Sequence, residues 1–294
     1  RQMPTVASNN VHNIAIEGTF DDCQDLVKAM FNDPPFRKRF RLSAVNSINW
    51  ARIMAQTVYY FWAAVQLGAP ERQVSFAVPT GNFGNVFAGY AASQMGLDIG
   101  QFVVGSNRND ILTRFFDSGA MQIGDVHPTL SPSMDIQVSS NFERLLFDLV
   151  DKDGKRVRDL MAAFKNDGLF SVEAPALEAA QGIFSGASFD DEATKETIKT
   201  VHDQTGLLVD PHTAVGIAAG RARRRDNETP MVALATAHPA KFPDAVKDAT
   251  GILPDLPANL SDLGEREERC DVLKADLRAV QDHVAERSPE REAA

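Results

Sequence analysis

The sequence predicts an α/β protein built on a doubly wound, mostly parallel sheet. Short apolar runs of strand length, such as residues 74–78 and 102–105, alternate along the chain with longer segments of helical period. Clusters of polar residues follow several of these apolar runs. Ligands of doubly wound proteins bind outside the carboxyl ends of the strands. The sequence therefore predicts a ligand site at that edge of the sheet.

The N-terminal 40 residues predict a strand followed by a helix. Residues 11–16 alternate enough for a strand, and Thr19 is a candidate N-cap for the helix that follows. The Asp33-Pro34-Pro35 sequence predicts the end of that helix. Residues 42–45 then predict a further short strand.

A helix from Trp50 to about Leu67 is apolar nearly all round, so we expect it to be central and buried. Residues 140–143 (Ser-Asn-Phe-Glu) have the form of a capping box and predict another helix start. Residues 155–205 predict helix with a break at 182–188.

The last third of the chain predicts a helix, a strand and a final helix. Asp210-Pro211 fits an N-cap followed by proline at the first helical position. Residues 231–235 predict a buried strand. The charged residues 265–294 carry an apolar stripe of Leu273, Leu277, Val280 and Val284, which predicts an amphipathic helix that docks on the body or on a partner subunit.

Composition bounds the class of protein. A chain of 294 residues with 44% hydrophobic and 24% charged residues can form one large or two ordinary domains. The net charge of −10 argues against nucleic acid as a partner, and no apolar run approaches the roughly 20 residues that cross a bilayer. Two cysteines suit a reducing, cytoplasmic setting, and no histidine spacing predicts a metal site. Because the chain opens at Arg1, we interpret it as a segment of a longer protein.

The loop at residues 79–85 (Pro-Thr-Gly-Asn-Phe-Gly-Asn) lies between a predicted strand and a predicted helix. Its glycines allow the backbone to approach an anion, and the first amides of a helix have no partner within the helix. The loop has neither the lysine of a P-loop nor a G-x-G-x-x-G pattern. A phosphate without obligatory magnesium or dinucleotide is therefore favoured, and pyridoxal 5′-phosphate is one such ligand.

Two further polar segments lie at predicted strand ends. Residues 46–52 place Ser47, Asn49 and Arg52 at the start of a helix, which suits a second anion. Thr236 follows the strand 231–235 and offers a neutral hydroxyl to a ring nitrogen.

Each segment also has a purely structural interpretation. The glycine loop could be only a turn, Ser47 and Asn49 could cap a helix, and Arg52 could pair with a surface acid. Thr236 could be an ordinary strand residue. A histidine before proline, here His238, is more often packed than catalytic, and Lys241 would need burial to form a Schiff base.

Five motifs in order resemble the threonine synthase family over residues 1 to about 260. They are His12–Gly18 (HNIAIEG), Asn46–Arg52 (NSINWAR), Pro79–Asn85 (PTGNFGN), Ser131–Asp135 (SPSMD) and Ala237–Phe242 (AHPAKF). The resemblance implies a fold-type II pyridoxal-phosphate enzyme, similar in architecture to the tryptophan synthase β-subunit. It implies the conversion of O-phosphohomoserine and water to threonine and phosphate.

The resemblance also implies roles for particular residues. The cofactor phosphate would contact Gly81, Asn82, Phe83, Gly84 and Asn85. Thr236 would contact the pyridine nitrogen of the cofactor. Ser47, Asn49 and Arg52 would bind the substrate.

The family's Schiff-base lysine lies upstream of these motifs beside a serine, and no lysine here has that context. The catalytic lysine is therefore expected outside this chain, in a missing N-terminal part, and this chain alone is expected to be inactive. The implied domains are a remnant of a smaller domain at 1–40, a large cofactor-binding domain at 41–264 and a C-terminal helix at 265–294.

Two other functions stay open at this point. A pyridoxal-phosphate-dependent serine or threonine dehydratase would share the glycine loop but would not need residues 46–52 for a distal phosphate. A non-catalytic phosphate- or nucleotide-binding module would bind without reacting.

Overall fold

The computed structural model describes residues 2–18, 20–44 and 49–288. The strands in this part of the chain are β1 (Ile14–Glu17), β2 (Val74–Pro79), β3 (Ile99–Ser106), β4 (Ala120–Gln122), β5 (Leu169–Ser171), β6 (Phe184–Ser188), β7 (Met231–Ala233) and β8 (Asp271–Lys274). The α-helices are α1 (Phe20–Phe31), α2 (Pro34–Phe40), α3 (Trp50–Gln66), α4 (Gly84–Gln94), α5 (Ile111–Ser118), α6 (Phe142–Leu149), α7 (Gly154–Asp167), α8 (Ala174–Ile183), α9 (Asp191–Thr205), α10 (Pro211–Arg223), α11 (Pro243–Thr250) and α12 (Leu277–Arg287). None of these helices is both long and apolar enough to span a membrane.

The main sheet has the strand order β6-β3-β2-β7, and all of its neighbouring strands are parallel. A separate pair, β4 and β5, is antiparallel. Every residue of β2 is buried, as expected for a central parallel strand covered on both faces. The predicted fold class, α/β with a mostly parallel sheet, is confirmed.

The two faces of the main sheet carry side chains of different size. One face presents Phe76 and Phe102 to a large aromatic core that includes Tyr60 of α3 and Phe184. The other face presents small side chains, including Ala77, to α10. A Cβ on Gly216 of α10 would lie 2.9 Å from Cδ of Pro79, so glycine is required for this close approach of helix and strand.

The contacts divide the chain into two compact units, with boundaries at 44/45 and 255/256. One unit is continuous, from 45 to 255, and contains the main sheet. The other joins both ends of the chain, because β1 pairs in parallel with β8. The predicted boundaries at 40/41 and 264/265 stay predictions; the contacts place the C-terminal segment with the N-terminal one, through a strand that the sequence analysis did not find.

The structure corrects several other predictions. Residues 42–44 form no strand, and Val45 and Thr19 lie outside the described residues. Residues 182–188 are not a simple break between helices, because β6 begins at Phe184 and pairs with β3. The strand β7 is shorter than predicted and half-buried, since it is an edge strand of the main sheet.

The helix α3 forms as predicted but is not buried all round. Ile53, Tyr60 and Ala64 are fully buried, whereas Trp62 is 67% exposed and Val58 is 60% exposed. The buried face packs against α4 and the aromatic core. The opposite face is apolar and open in this chain.

Candidate functional site

The loop from β2 to α4 contains the predicted phosphate site. Phe83, the N-cap residue of α4, has a left-handed backbone (φ 61°) and makes no side-chain capping bond. The first bond into this helix is donated by the amide of Phe87 to the carbonyl of Phe83. Across the described parts of the chain, the amides of residues 81–86 have no protein acceptor. Six consecutive amides at a helix N-terminus are therefore available to an anion.

Gly81 lies where a side chain would not fit. A Cβ at this position would lie 3.0 Å from the carbonyl oxygen of Ser133 and 3.2 Å from Cα of Met134. Both of these neighbours are backbone atoms, which cannot move as a flexible side chain could. Because Gly81 has no Cβ, its backbone can pack closely against the turn at Pro132–Met134.

Residues 139–141 hold the same loop from the other side. The hydroxyl of Ser139 donates to the Gly81 carbonyl (2.8 Å), and both the amide and Nδ2 of Asn141 donate to the Asn82 carbonyl (3.1 and 3.0 Å). Ser140 donates to Oδ1 of Asn82 (3.1 Å). The helix start predicted at residues 140–143 is correct, because Asn141 is the N-cap residue of α6. The predicted capping box is wrong, because the side chain of Asn141 makes no capping bond.

Phe83 and Asn85 are tied into the protein by their side chains. The ring of Phe83 is buried against Phe142, at a centroid distance of 5.2 Å, and Phe184, at 5.9 Å. The hydroxyl of Tyr60 donates to the carbonyl (2.9 Å) and to Oδ1 (3.0 Å) of Asn85. Both residues therefore offer their main-chain amides to the site while their side chains fix the loop.

Thr236 lies just beyond the end of β7 and is exposed. Its amide donates to the hydroxyl of Thr213 at 3.3 Å. Its own hydroxyl has no hydrogen-bond partner among the described residues.

The substrate group predicted at 46–52 is only partly described. Oδ1 of Asn49 accepts from the amide of Ala51 (3.0 Å), so this side chain caps α3. Arg52 is exposed, and its guanidinium has no ion pair or hydrogen bond in the ranges that the structure describes. Ser47 lies outside the described residues.

These segments line one cavity of about 590 Å³ within the unit that holds the main sheet. The predicted residues in its wall are Arg52, Gly81, Asn82, Phe83, Gly84, Asn85 and Thr236. The residues that the sequence analysis did not assign include Gln56 and Tyr59 of α3, Ser133, His212 and Lys241. Arg52, Gln56 and Tyr59 are four and three residues apart, so helical spacing alone could have indicated a shared face.

Comparisons with known protein families identify the family of this chain. The model for "Pyridoxal-phosphate dependent enzyme" matches residues 2–236, and the model for "Threonine synthase, C-terminal" matches residues 213–284. The chain belongs to the pyridoxal-phosphate-dependent enzyme family. The predicted cofactor, pyridoxal phosphate, is therefore confirmed at the level of this family.

Within the pyridoxal-phosphate family, the resemblance to threonine synthases is confirmed. The chain is 58% identical over 287 residues to threonine synthase from Pseudomonas aeruginosa. The alignment covers 97% of this chain and 61% of that protein. It is 41% identical over 299 aligned positions to threonine synthase from Saccharomyces cerevisiae, and this alignment covers 95% of this chain and 58% of that protein.

A solved structure, PLP-bound threonine synthase from Brucella melitensis, superimposes with a TM-score of 0.94 at 52% identity. That match covers 98% of this chain and 62% of the Brucella chain. The chain thus spans about three fifths of the length of these threonine synthases.

The residues present fit the cofactor of this family. A phosphate dianion needs several donors, and the run of amides at 81–86 provides them without a metal. The described residues contain no group of three or more His, Cys, Asp or Glu side chains placed to hold a metal ion. Lys241 is exposed on the cavity wall, with Nζ 6.0 Å from the centroid of Phe242.

A buried carboxylate beside this cavity was not identified from the sequence. Asp210 is fully buried at the N-cap of α10 and accepts from both the amide (2.9 Å) and Nδ1 (2.8 Å) of His212. Burial alone would raise the pKa of Asp210, but the hydrogen bonds from His212 and Thr213 outweigh burial, so its pKa is lowered. The Asp-Pro pair had indicated only a helix start, and α10 does begin there.

Proposed function

We propose that this chain supplies the cofactor-binding part of a threonine synthase, which converts O-phosphohomoserine and water to threonine and phosphate. One observation carries the proposal: the amides of residues 81–85, which have no acceptor among the described residues, share a cavity with Thr236 and Arg52. The likeness to threonine synthases over 97% of the chain supports it.

The phosphate of the cofactor is proposed to lie at the N-terminus of α4. There the amides of Gly81, Asn82, Phe83, Gly84 and Asn85 donate to its oxygens, and the positive end of the helix dipole favours its charge. Ser139 and Asn141 support this role, because their side chains donate to the carbonyls of Gly81 and Asn82 and so hold the backbone of the loop in place.

The ring of the cofactor is proposed to lie toward Thr236, whose hydroxyl accepts no other protein donor in the described chain. Bound pyridoxal phosphate supplies a conjugated ring that stabilises negative charge on the attached substrate carbon. A neutral hydroxyl at the ring nitrogen does not hold a proton there as a carboxylate would. This weaker electron sink suits elimination and replacement better than transamination.

Arg52 is proposed to bind an anionic group of the substrate. It projects from the first turn of α3 into the cavity wall, and no carboxylate of the described chain neutralises it. Asn49 and Ser47 are proposed to assist at the same helix start, with Asn49 also capping the helix.

The Schiff-base lysine is proposed to come from a part of the protein outside this chain. Val58 and Trp62 on the apolar face of α3 are exposed in this chain. Because a large apolar surface is normally covered by another part of a protein, this face supports the presence of a further segment. We propose that the remaining two fifths of the length of the relatives covers this face, and that the complete enzyme is cytoplasmic.

Binding of 4′-deoxypyridoxine 5′-phosphate tests the cofactor site in this chain, because the probe has the ring and the phosphate but needs no lysine. We expect Gly81→Ala to weaken its binding about tenfold or more, since the added Cβ would meet backbone atoms at 3.0 and 3.2 Å. Isothermal calorimetry and probe fluorescence would measure the change.

Gly182→Ala is the matched control, because a Cβ on that exposed helical glycine meets nothing within 4 Å. The control should bind the probe as the parent chain does. Equal binding by parent, Gly81→Ala and control would contradict the proposed phosphate site, and no binding by the parent would favour a module with another ligand.

The reaction itself is tested in the complete protein that contains this chain. We expect phosphate release from O-phosphohomoserine and no ammonia release from threonine. The opposite result would identify a dehydratase.

A further inference from the structure

The residues that open α10 do more than cap a helix. We call Asp210, His212 and Thr213 the α10 cluster. The carboxylate of Asp210 accepts from two amides, those of His212 (2.9 Å) and Thr213 (3.4 Å), as an N-cap does. It also accepts from Nδ1 of His212 and from the hydroxyl of Thr213. These two side-chain bonds are not needed for capping.

The hydrogen bonds define which ring nitrogen of His212 carries a proton. Nε2 of His212 accepts from the amide of Ser133 at 3.2 Å, so this nitrogen holds no proton. The proton lies on Nδ1 and is donated to Asp210 at 2.8 Å. His212 is thereby a neutral acceptor that connects α10 to the turn at 132–134, and its ring packs on Phe242 at 4.8 Å.

Thr213 makes a second connection, to Thr236 in the cavity wall. Its hydroxyl proton is donated to Asp210, which leaves a lone pair to accept the amide of Thr236 at 3.3 Å. Thr213 is only 4% exposed, so water does not compete freely for this bond. The backbone of Thr236 is therefore held, while its side-chain hydroxyl has no partner in the part of the chain that the structure describes.

We infer that the α10 cluster is a positioning device for the cofactor: Asp210 acts through Thr213 to orient Thr236 toward the ring, and through His212 to hold residues 132–134 beside the phosphate loop. This inference rests on the proposed function. The close packing of Gly216 on Pro79 fixes α10 against β2, the strand that leads into the phosphate loop. One buried carboxylate thus connects both Thr236 and residues 132–134 to the helix that packs on β2.

The two connections can be separated by substitution. Thr213→Val keeps the shape but removes the hydroxyl, so the amide of Thr236 loses its acceptor. We expect a shifted fluorescence maximum of bound 4′-deoxypyridoxine 5′-phosphate, which reports the hydrogen bond at the ring nitrogen, and about tenfold weaker binding. Thr213→Ser should restore both the maximum and the affinity.

His212→Phe keeps a ring against Phe242 but leaves the amide of Ser133 without an acceptor. We expect it to weaken probe binding several-fold while the fluorescence maximum stays that of the parent chain. In the complete enzyme, Thr213→Val should lower kcat more than it raises KM.

Thr194→Val is the matched control for a structural effect. Thr194 is also a buried threonine in the first turns of a helix, and its hydroxyl donates to the carbonyl of Asp190 at 2.7 Å. Residues 190 and 194 are not part of the cavity wall. This variant should lose thermal stability comparably to Thr213→Val yet bind the probe with the parent's affinity and maximum.

The outcomes distinguish this inference from the proposed function. Failure of the parent chain to bind the probe, or parental binding by Gly81→Ala, overturns the proposed function. Normal binding by the parent with a parental maximum and affinity in folded Thr213→Val overturns only the positioning role. If Thr213→Val does not fold, a parental affinity in His212→Phe overturns the proposed link to residues 132–134, and with it the inference.

Discussion

At the scale of single residues, the electrostatics of this chain are dominated by a few buried polar groups rather than by its surface pairs. The ion pairs of Lys155 and Lys199 are exposed helical pairs, which contribute little to stability. Asp210 and Asn141, by contrast, are fully buried and make several hydrogen bonds each. Removal of one partner from such a group leaves the others unsatisfied.

Tyr90 gives a prediction at this scale. Burial, and then the charge and hydrogen bond of Asp148, raise the pKa of Tyr90 from 10.0 to about 12. Because the folded-state pKa is raised, the associated stability is fully present below pH 10 and is lost as the pH rises through about 12. We expect Asp148→Asn to lower the pKa of Tyr90 but leave it above 10.0, since burial, the largest cause, remains.

Ultraviolet titration of tyrosinate would measure this pKa, with Tyr90→Phe identifying the step that belongs to this residue. A pKa that is unchanged in folded Asp148→Asn would show that the carboxylate does not act on Tyr90.

At the scale of elements, α3 has one face that is buried in the core and one apolar face that is exposed to solvent. Tyr60 is fully buried and its hydroxyl donates to Asn85, whereas Trp62, two residues on, is 67% exposed. In this chain we expect Tyr60→Phe to lower the free energy of unfolding by about 1 to 2 kcal/mol through the lost hydrogen bond. Trp62→Gln should change it by no more than about 0.5 kcal/mol. Urea denaturation of the two variants measures the difference.

The same pair tests whether α3 is covered in the complete protein. There Trp62→Gln should cost about 2 kcal/mol or more, because a buried aromatic side chain would be lost. An equally small effect in the complete protein would mean that this face stays open to solvent.

The elements also show what sequence could and could not predict. β2 and β3 were predictable because a central parallel strand must be apolar on both faces. β6 was missed, because Phe184–Ser188 is rich in small residues and carries no β-branched signal. The exposure of α3 was mispredicted, since an apolar pattern shows that a surface needs covering but not which part of the protein covers it.

For the candidate site, the sequence could predict the loop whose main-chain amides face an anion, but not the distant residues whose hydrogen bonds hold the site's backbone in place. Glycines between a strand and a helix are typical of an anion site, although such a loop can also be only a turn. The bonds from Ser139 to Gly81 and from Thr236 to Thr213 join residues 58 and 23 positions apart, and no local pattern encodes such separations.

At the scale of the whole molecule, the chain contains one continuous unit and one built from its two ends. In the second unit, β1 is held by β8 through the register Ile14 to Asp271 and onward, and the amide of Arg269 donates to the carbonyl of Pro4 at 2.7 Å. The unit that spans 45–255 has its own sheet and its own aromatic core. Its folding should therefore not depend on β8.

Deletion of residues 256–294 tests this division. We expect the amides of β2 and β3 to keep their protection from hydrogen exchange, because both strands are buried within the continuous unit. The amides of β1 should lose protection, because β8 is the strand with which β1 pairs. Loss of protection in β2 and β3 after this deletion would show that the continuous unit does not fold independently of residues 256–294.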